Sequence, residues 1–107
     1  MIQQYIDAML AQDYQALADC FSPKCRLFDY CPIGNNMENF HVCGRTAVEM
    51  FFRNKFFFNV IHISDPVVTD DDTADYFVSY GGQYLHVQAK IERYADGKIS
   101  ILIVRPL

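Results

Sequence analysis

Residues 74–89 read ADYFVSYGGQYLHVQA, two stretches of alternating character joined by a pair of glycines. Gly81 and Gly82 are typical of a two-residue hairpin turn, because that turn requires positive φ angles that glycine adopts freely. The turn predicts these cross-strand pairs: Tyr80 with Gln83, Val78 with Leu85, Tyr76 with Val87, and Ala74 with Ala89. Opposite residues of a hairpin share one face, so the sequence predicts two antiparallel strands with a common apolar side.

The hairpin pattern extends through the C-terminal half of the chain. From Phe58 onward the hydrophobic periodicity approaches two, and Asp70-Asp71-Asp72 and Asp96-Gly97 mark further turns. A two-residue turn at Asp96-Gly97 puts Ala89 and Ile91 on one face with Leu102 and Val104, so the apolar face continues onto the last strand. We therefore predict a meander of four long antiparallel strands.

The opposite face of this sheet is also apolar. Ile99, Ile101 and Ile103 fall there, beside Phe77 and Tyr94. Helices can shield only one side of the sheet, so this isoleucine face predicts a two-fold homodimer. A monomer in light scattering would contradict that prediction.

Three helices are predicted before the meander. The first carries an apolar stripe at helical spacing: Ile2, Tyr5, Ile6, Met9 and Leu10. Asp13 is a candidate cap for a second short helix, which Ser22-Pro23 would end. The Thr46-x-x-Glu49 pattern predicts a capping box at the start of the third. That helix has Val48, Phe51, Phe52 and Phe56 along one side, which we interpret as core packing.

A short strand over Cys25 to Tyr30 supplies the candidate chemistry. Its alternation puts Asp29 on the same inner face as Cys25 and Leu27. Tyr5 lies on the apolar stripe of the first helix, so a phenol and a carboxylate are predicted to share one apolar interior. Burial raises the pKa of a carboxyl group and requires an acceptor for a phenol, so both groups are candidate proton handlers.

Length and charge limit the alternatives. The 107 residues, 51% of them hydrophobic, fit one domain spanning 1–107. A net charge of -4, with nine scattered Lys and Arg residues, argues against a nucleic-acid surface. No run of 18 apolar residues occurs, and Met1 to Leu10 lacks the basic start and small-residue cleavage site of a secretory signal. We therefore expect a cytoplasmic protein without a membrane segment.

No metal site is predicted. Cys20, Cys25, Cys31 and Cys43 lack paired zinc-ligand spacing, and we interpret them as reduced core thiols. A site built from Cys31, His41 and Cys43 around one loop is a weaker alternative to packing. The acidic run at the first turn of the meander lacks the glycine and distal glutamate of a calcium loop.

Several short motifs resemble ketosteroid isomerases and, more broadly, the nuclear-transport-factor-2-like superfamily, also called cystatin-like. They cover nearly the whole chain: Tyr5-Ile6-Asp7, Gln12-Asp13, Ala16-Leu17, Leu27-Phe28-Asp29, Gly44-Arg45-Thr46, Phe51-Phe52, Asp65-Pro66-Val67, Gly82-Gln83 and Arg93-Tyr94. The resemblance, which extends to small polyketide-cyclase-like proteins, implies an α+β fold. Three N-terminal helices would pack on the concave face of a long, curved, mainly antiparallel sheet that forms a cone-shaped barrel. It also implies a catalytic tyrosine and aspartate with the separation of Tyr5 and Asp29.

The sequence departs from the isomerases in two places. They carry a second, protonated acid on a late strand, whereas the matching stretch here is Val87-Gln88-Ala89-Lys90-Ile91. The hairpin pattern puts Ala89 and Ile91, and not Lys90, on the inner face. The loop from Pro32 to Cys43 is longer than in those enzymes and is expected to reshape the pocket mouth.

Three functions follow from this sequence. In the first, Asp29 removes a proton beside a carbonyl while Tyr5, with Tyr76 or Tyr80, stabilises the enolate; isomerase or lyase chemistry of this kind needs no cofactor. In the second, the cone only binds a small apolar or aromatic ligand. The predicted lining residues are Met9, Leu27, Phe52, Phe56, Tyr76, Val78, Tyr80, Leu85 and Val87.

In the third, the protein is a dimerisation module with a filled interior. An open, partly polar cone beside Asp29 would support catalysis or binding. A cone filled by aromatic side chains would support the module.

Overall fold

A computed structural model describes residues 1–32 and 38–107. The elements along the chain are α1 (Ile2–Ala11), α2 (Tyr14–Asp19), β1 (Phe21–Asp29), β2 (Phe40–Cys43), α3 (Arg45–Phe57), β3 (Ile61–Val68), β4 (Thr73–Tyr80), β5 (Gln83–Ala95) and β6 (Lys98–Pro106). The three predicted helices and the four-strand meander are all present. The strand β2 was not predicted.

The start of α2 follows the prediction, but its end does not. The Asp13 carboxylate accepts a hydrogen bond from the backbone N–H of Ala16 at 3.0 Å, as an N-cap should. The helix ends at Asp19, however, and Ser22 and Pro23 already belong to β1. Pairing with β6 draws the chain out early, since the N–H of Ile99 donates to the Cys20 carbonyl at 2.8 Å.

The predicted capping box of α3 is wrong. The helix begins at Arg45, one residue before Thr46, and no side chain caps it. Gly44 precedes the helix with a φ angle of 93°, a conformation that side chains disfavour, and its N–H donates to the Cys25 carbonyl at 2.8 Å. This bond to β1 fixes where the helix starts, so Thr46 lies inside the first turn.

One six-stranded curved sheet holds all the strands, in the order β2-β1-β6-β5-β4-β3. Only β1 and β6 are parallel, and the other neighbours are antiparallel. Strands β2 and β3 are edges, so the cone is an open curved sheet that does not close into a barrel. The α+β class and the mainly antiparallel sheet are confirmed.

The predicted register of the β4-β5 hairpin is confirmed at every pair. Tyr80 lies opposite Gln83, and the pairing continues without a shift to Thr73 and Lys90. The inner face carries Ala89 and Ile91, both buried, while Lys90 is exposed. The inner position expected for Ala89 or Ile91 is therefore also confirmed.

The predicted isoleucine face is wrong at Ile99. This residue is fully buried in the core, whereas Ile101 and Ile103 are partly exposed on the outer face. The β5-β6 register shifts on both sides of the Arg93-Ile101 pair, so the strict alternation of β6 fails between Ile99 and Leu102. Ile99 thereby turns inward and pairs with the buried Phe21 of β1.

The helices cover the inner face of the sheet, and one core cluster lies between the two layers. Its largest buried side chains include Tyr5, Ile6, Phe21, Tyr76 and Leu102. Among residues 1–32 and 38–107 no helix exceeds 13 residues, and none could cross a bilayer.

Candidate functional site

Asp29 is the buried acid at the centre of the candidate site. It ends β1, where pairing with Val104 of β6 and Phe40 of β2 fixes its backbone on both sides. Its side chain points inward and is 8% exposed. One carboxylate oxygen accepts a hydrogen bond from the Tyr80 hydroxyl at 2.5 Å, and the other accepts from the backbone N–H of Cys31 at 3.0 Å. The inward orientation predicted for Asp29 is therefore confirmed.

Burial raises the pKa of Asp29 above its ordinary value, because the surrounding apolar groups destabilise the charged form. The hydrogen bonds from Tyr80 and Cys31 act in the opposite direction and offset part of this effect. Within the described chain its hydrogen-bond partners are the Tyr80 phenol and the backbone amide and thiol of Cys31, and no basic side chain is among them. Asp29 is thus a carboxyl group that protonates more readily than an exposed one.

Two further groups surround this carboxyl group. Tyr80 is the last residue of β4, immediately before the glycine turn, and it is buried beneath Asp29. Burial raises the pKa of its phenol, and the charge of Asp29 raises it further. Cys31 is fully buried beside them, and burial followed by the Asp29 charge raises the pKa of its thiol as well. Both side chains are therefore held in the protonated, hydrogen-donating form.

Tyr5 shares the same interior but does not bind Asp29 directly. It is 1% exposed, and its hydroxyl interacts with that of Tyr76 on β4. Burial raises the pKa of Tyr5, the Tyr76 hydroxyl partly opposes that rise, and the Asp29 charge adds to it. The structure thus brings Tyr5 and Asp29, the predicted pair, into one apolar interior. The direct side-chain partner of Asp29, however, is Tyr80.

The predicted lining residues surround this centre and shield it from solvent. Phe56 and Leu85 are half-buried against the core; the other seven, Met9, Leu27, Phe52, Tyr76, Val78, Tyr80 and Val87, are buried within it. Three clefts formed by residues 1–32 and 38–107 lie elsewhere. The cleft between α1 and α2, of about 430 Å³, includes Asp7 and Asp13 but neither Tyr5 nor Asp29. The inner end of the cone is closed to solvent, since Tyr5, Asp29 and Tyr80 are all buried.

An aromatic wall stands beside Tyr80. Phe40 of β2 lies 6.3 Å from the Tyr80 ring and 5.0 Å from the Phe51 ring of α3, measured between ring centroids. The Lys55 ammonium group lies 5.0 Å from the Phe40 ring centre and 5.4 Å from that of Phe51. We define Phe40, Phe51 and Lys55 as the wall; Phe40 and Lys55 were missed from the sequence. The alternation Phe40-His41-Val42-Cys43 was the available signal for Phe40.

The structure separates the residues of the alternative metal site. Cys31 is buried beside Asp29, whereas His41 and Cys43 are exposed on the other side of the sheet. No three His, Cys, Asp or Glu side chains are grouped to hold a metal ion in the described part of the chain. Residues 33–37 of the loop that was predicted to reshape the pocket mouth lie outside the described residues, and its last part forms β2.

Comparison with known proteins supports the fold by structure alone. No protein-family model and no curated protein matches the sequence. The structure is similar to a ketosteroid isomerase-like fold protein from Catenulispora acidiphila, solved with trimethylamine. That match has a TM-score of 0.66 at 14% identity and covers 97% of this chain and 82% of that one.

Two other solved structures give the same result. A putative ketosteroid isomerase from Kribbella flavida has a TM-score of 0.64 at 14% identity, over 96% of this chain and 72% of that one. A SnoaL-like protein of unknown function from Burkholderia thailandensis has a TM-score of 0.61 at 12% identity, over 98% and 89%. At these identities the likeness concerns architecture and not activity. The chain therefore has the nuclear-transport-factor-2-like cone fold, shared by ketosteroid isomerase-like and SnoaL-like proteins, that its sequence resembles.

Proposed function

We propose that the protein binds a small molecule carrying a carbonyl group at the inner end of the cone, and that Asp29 transfers a proton to or from it. The observation that carries this proposal is the 2.5 Å hydrogen bond between Tyr80 and Asp29 inside an apolar shell. A buried carboxyl group is costly to keep in a core unless it is hydrogen-bonded, and its raised pKa makes the carboxylate a stronger base than an exposed one. When Asp29 takes the substrate proton it no longer needs the Tyr80 donor, and Tyr80, rather than Tyr5, would then donate to the substrate oxygen.

Binding requires space beside Asp29, and we propose that Phe40 provides it. Phe40 is half-buried on the four-residue edge strand β2, and its ring lies between Tyr80 and Phe51. Few backbone hydrogen bonds hold so short an edge strand, so its side chain is the most easily displaced member of the wall. Movement of the Phe40 ring would expose the Tyr80 hydroxyl to a ligand.

Tyr5 and Tyr76 would then form the second layer of the site. Their hydroxyls interact with each other, and the charge of Asp29 acts on both phenols. Their rings would pack as the apolar floor of the pocket. Their hydroxyls would provide the polar groups that a bound carbonyl needs nearby. This role differs from the oxyanion contact first predicted for Tyr5.

Thermal-shift measurements test binding, with small cyclic ketones as probes and hydrocarbons of the same shape as controls. A ligand at ten times its Kd stabilises the native state by ~1.4 kcal/mol, which raises the midpoint by about 6 °C in a domain of this size. Phe40→Ala should enlarge the shift by opening the wall. Failure of every ketone on both proteins would contradict the proposal.

Deuterium exchange at the ketone α-carbon, followed by NMR in D2O, tests proton transfer. General-base action accelerates such exchange by about 10²- to 10⁴-fold. Asp29→Asn should abolish the acceleration while leaving the protein folded, and Tyr80→Phe should reduce it. Ketone binding without accelerated exchange would reduce the function to binding.

A dimerisation module is the second candidate, favoured by the closed interior and by the outer face of the sheet. Ile101 and Ile103 are partly exposed there, and Phe77 and Tyr94 are exposed. A face of this kind suits burial against a second copy of the chain. Light scattering should then give twice the chain mass, and Ile103→Glu should give a monomer.

A further inference from the structure

We propose that Cys43 is a reactive thiol that His41 activates for attack on small disulfides, so that a mixed disulfide forms on the outer face of the sheet. This site lies on the opposite side of the sheet from Asp29 and is independent of the function proposed there. It rests on the geometry of β2, on which the two residues stand two positions apart and point to the same side.

Exposure separates Cys43 from the other thiols. Cys20, Cys25 and Cys31 are buried, whereas Cys43 is exposed. The Sγ atom of Cys43 lies 3.4 Å from Nε2 of His41, within hydrogen-bond range for sulfur. A nucleophile within reach of a base is the minimal arrangement for an activated thiol.

The imidazole of His41 is held in place by Phe28. The two rings stack with their centroids 4.3 Å apart and their planes 16° from parallel. Phe28 and His41 are directly opposite each other in the β1-β2 pairing, which explains the stack. The base is therefore oriented toward Cys43 by a third group and is not a freely rotating surface side chain.

Arg26 adds positive charge on the same face. It is the cross-strand partner of Cys43 in the same β1-β2 pairing, and it is exposed. Directly opposite residues in an antiparallel pair have side chains close together on one side of the sheet. An anionic sulfur at Cys43 would therefore lie near both an imidazole and a guanidinium group.

The reaction balances without any other reagent. Nε2 of His41 takes the proton from Cys43, and the sulfur attacks one sulfur of the small disulfide. A new sulfur-sulfur bond forms, the original one breaks, and the departing thiolate receives the proton from His41. The products are the mixed disulfide at Cys43 and one free small thiol.

Stopped-flow reaction of the reduced protein with 5,5′-dithiobis(2-nitrobenzoic acid), an aromatic disulfide, tests the proposal at pH 7. The native protein should release one equivalent of thiol in a fast phase, and mass spectrometry should locate the adduct at Cys43. Cys43→Ser should remove the fast phase. His41→Ala should slow it by about 10-fold, because a small fraction of an unassisted thiol is ionised at this pH.

The chain provides a matched control at His86. This imidazole stacks on Phe77 with centroids 4.5 Å apart and planes 15° from parallel, nearly the geometry of the His41 stack, but the nearby residues include no cysteine. His86→Ala should leave the fast phase unchanged. Imidazole added to the buffer should restore part of the rate to His41→Ala, which a merely structural loss would not allow.

Three results would overturn the proposal. They are an equal rate in His41→Ala and the native protein, a fast phase that survives in Cys43→Ser, and a native rate no higher than that of free glutathione. If His41→Ala unfolds the protein, His41→Gln provides the same comparison, since it keeps a polar side chain but removes the base.

Discussion

On the inner face of the sheet Asp29 and Tyr80 satisfy each other within apolar side chains, whereas on the outer face His41 and His86 stack on phenylalanine rings in contact with solvent. Burial raises the pKa values of the inner groups, so their chemistry depends on keeping water out. The outer groups remain accessible, so their chemistry depends on neighbours a few ångströms away. The same sheet therefore separates the proposed proton transfer from the proposed thiol chemistry, and we expect that each face can be altered without the other.

The largest expected effect tests which isoleucines belong to which face. Ile99→Ala should destabilise the protein by about 2–5 kcal/mol, because it opens a cavity in a packed core. The matched change Ile101→Ala, on the outer face, should cost less than about 1 kcal/mol. Urea unfolding at low protein concentration measures both. Equal losses of stability in the two variants would indicate that Ile99 lies on the outer face, as the sequence predicted.

The next largest effect concerns the bond to Asp29. Tyr80→Phe removes one hydroxyl and leaves a buried carboxylate oxygen without its donor, which should cost about 1–3 kcal/mol. Tyr84→Phe is the control, since Tyr84 is exposed on the adjacent strand and should change stability by less than about 0.5 kcal/mol. A neutral Tyr80→Phe would mean that water or another donor replaces the phenol.

Alkaline unfolding measures the closure of the inner face. Burial raises the pKa values of Tyr5, Tyr76 and Tyr80, so the unfolded chain loses these protons first. Stability present below pH 10 should therefore fall as the pH rises above it, by ~1.4 kcal/mol per pH unit for each buried phenol. Tyr5→Phe should reduce that slope by one such increment. An unchanged slope in denaturant titrations would show that Tyr5 ionises in the native state.

The smallest effect is at Asp29, where hydrogen bonds offset part of the rise in pKa that burial causes. Its pKa is raised on folding, so its stabilising contribution is present below the unfolded pKa and is lost as the pH rises through the folded value. Relative to the native protein, Asp29→Asn should therefore gain stability between acid and neutral pH. Asp7→Asn, at an exposed position, is the matched control. If instead the native protein became more stable relative to Asp29→Asn as the pH rises over that range, the pKa of Asp29 would be lowered on folding.

Local sequence patterns predicted the fold well where neighbouring residues alone determine the structure. The glycine turn fixed the β4-β5 register because Gly81 and Gly82 adopt positive φ angles there, and the Asp13 cap started α2. Predictions failed where a distant strand intervened. The bulge that turns Ile99 inward and the bond from Gly44 to Cys25 both depend on β1 packing beside the other elements.

The candidate site was predicted in part. The alternation of β1 was enough to predict that Asp29 points inward, and the helical spacing of α1 was enough to predict that Tyr5 is buried. Their hydrogen-bond partners were not predictable, because Tyr80 is 51 residues from Asp29 in sequence and its hydroxyl position depends on the whole sheet. The closed interior depends on how side-chain volumes sum in three dimensions, which alternation does not encode.

The parallel pairing of β1 with β6 has a consequence for the order of folding. Asp29 is aligned with Val104, and the N–H of Tyr30 donates to the Val104 carbonyl at 2.9 Å, so a contact across more than 70 positions fixes the acid. Long loops are slow to close, and contacts between the two ends of a sequence form late. Because β1 cannot pair with β6 before β6 has been synthesised, we expect the surroundings of Asp29 to be completed after the β4-β5 hairpin has formed.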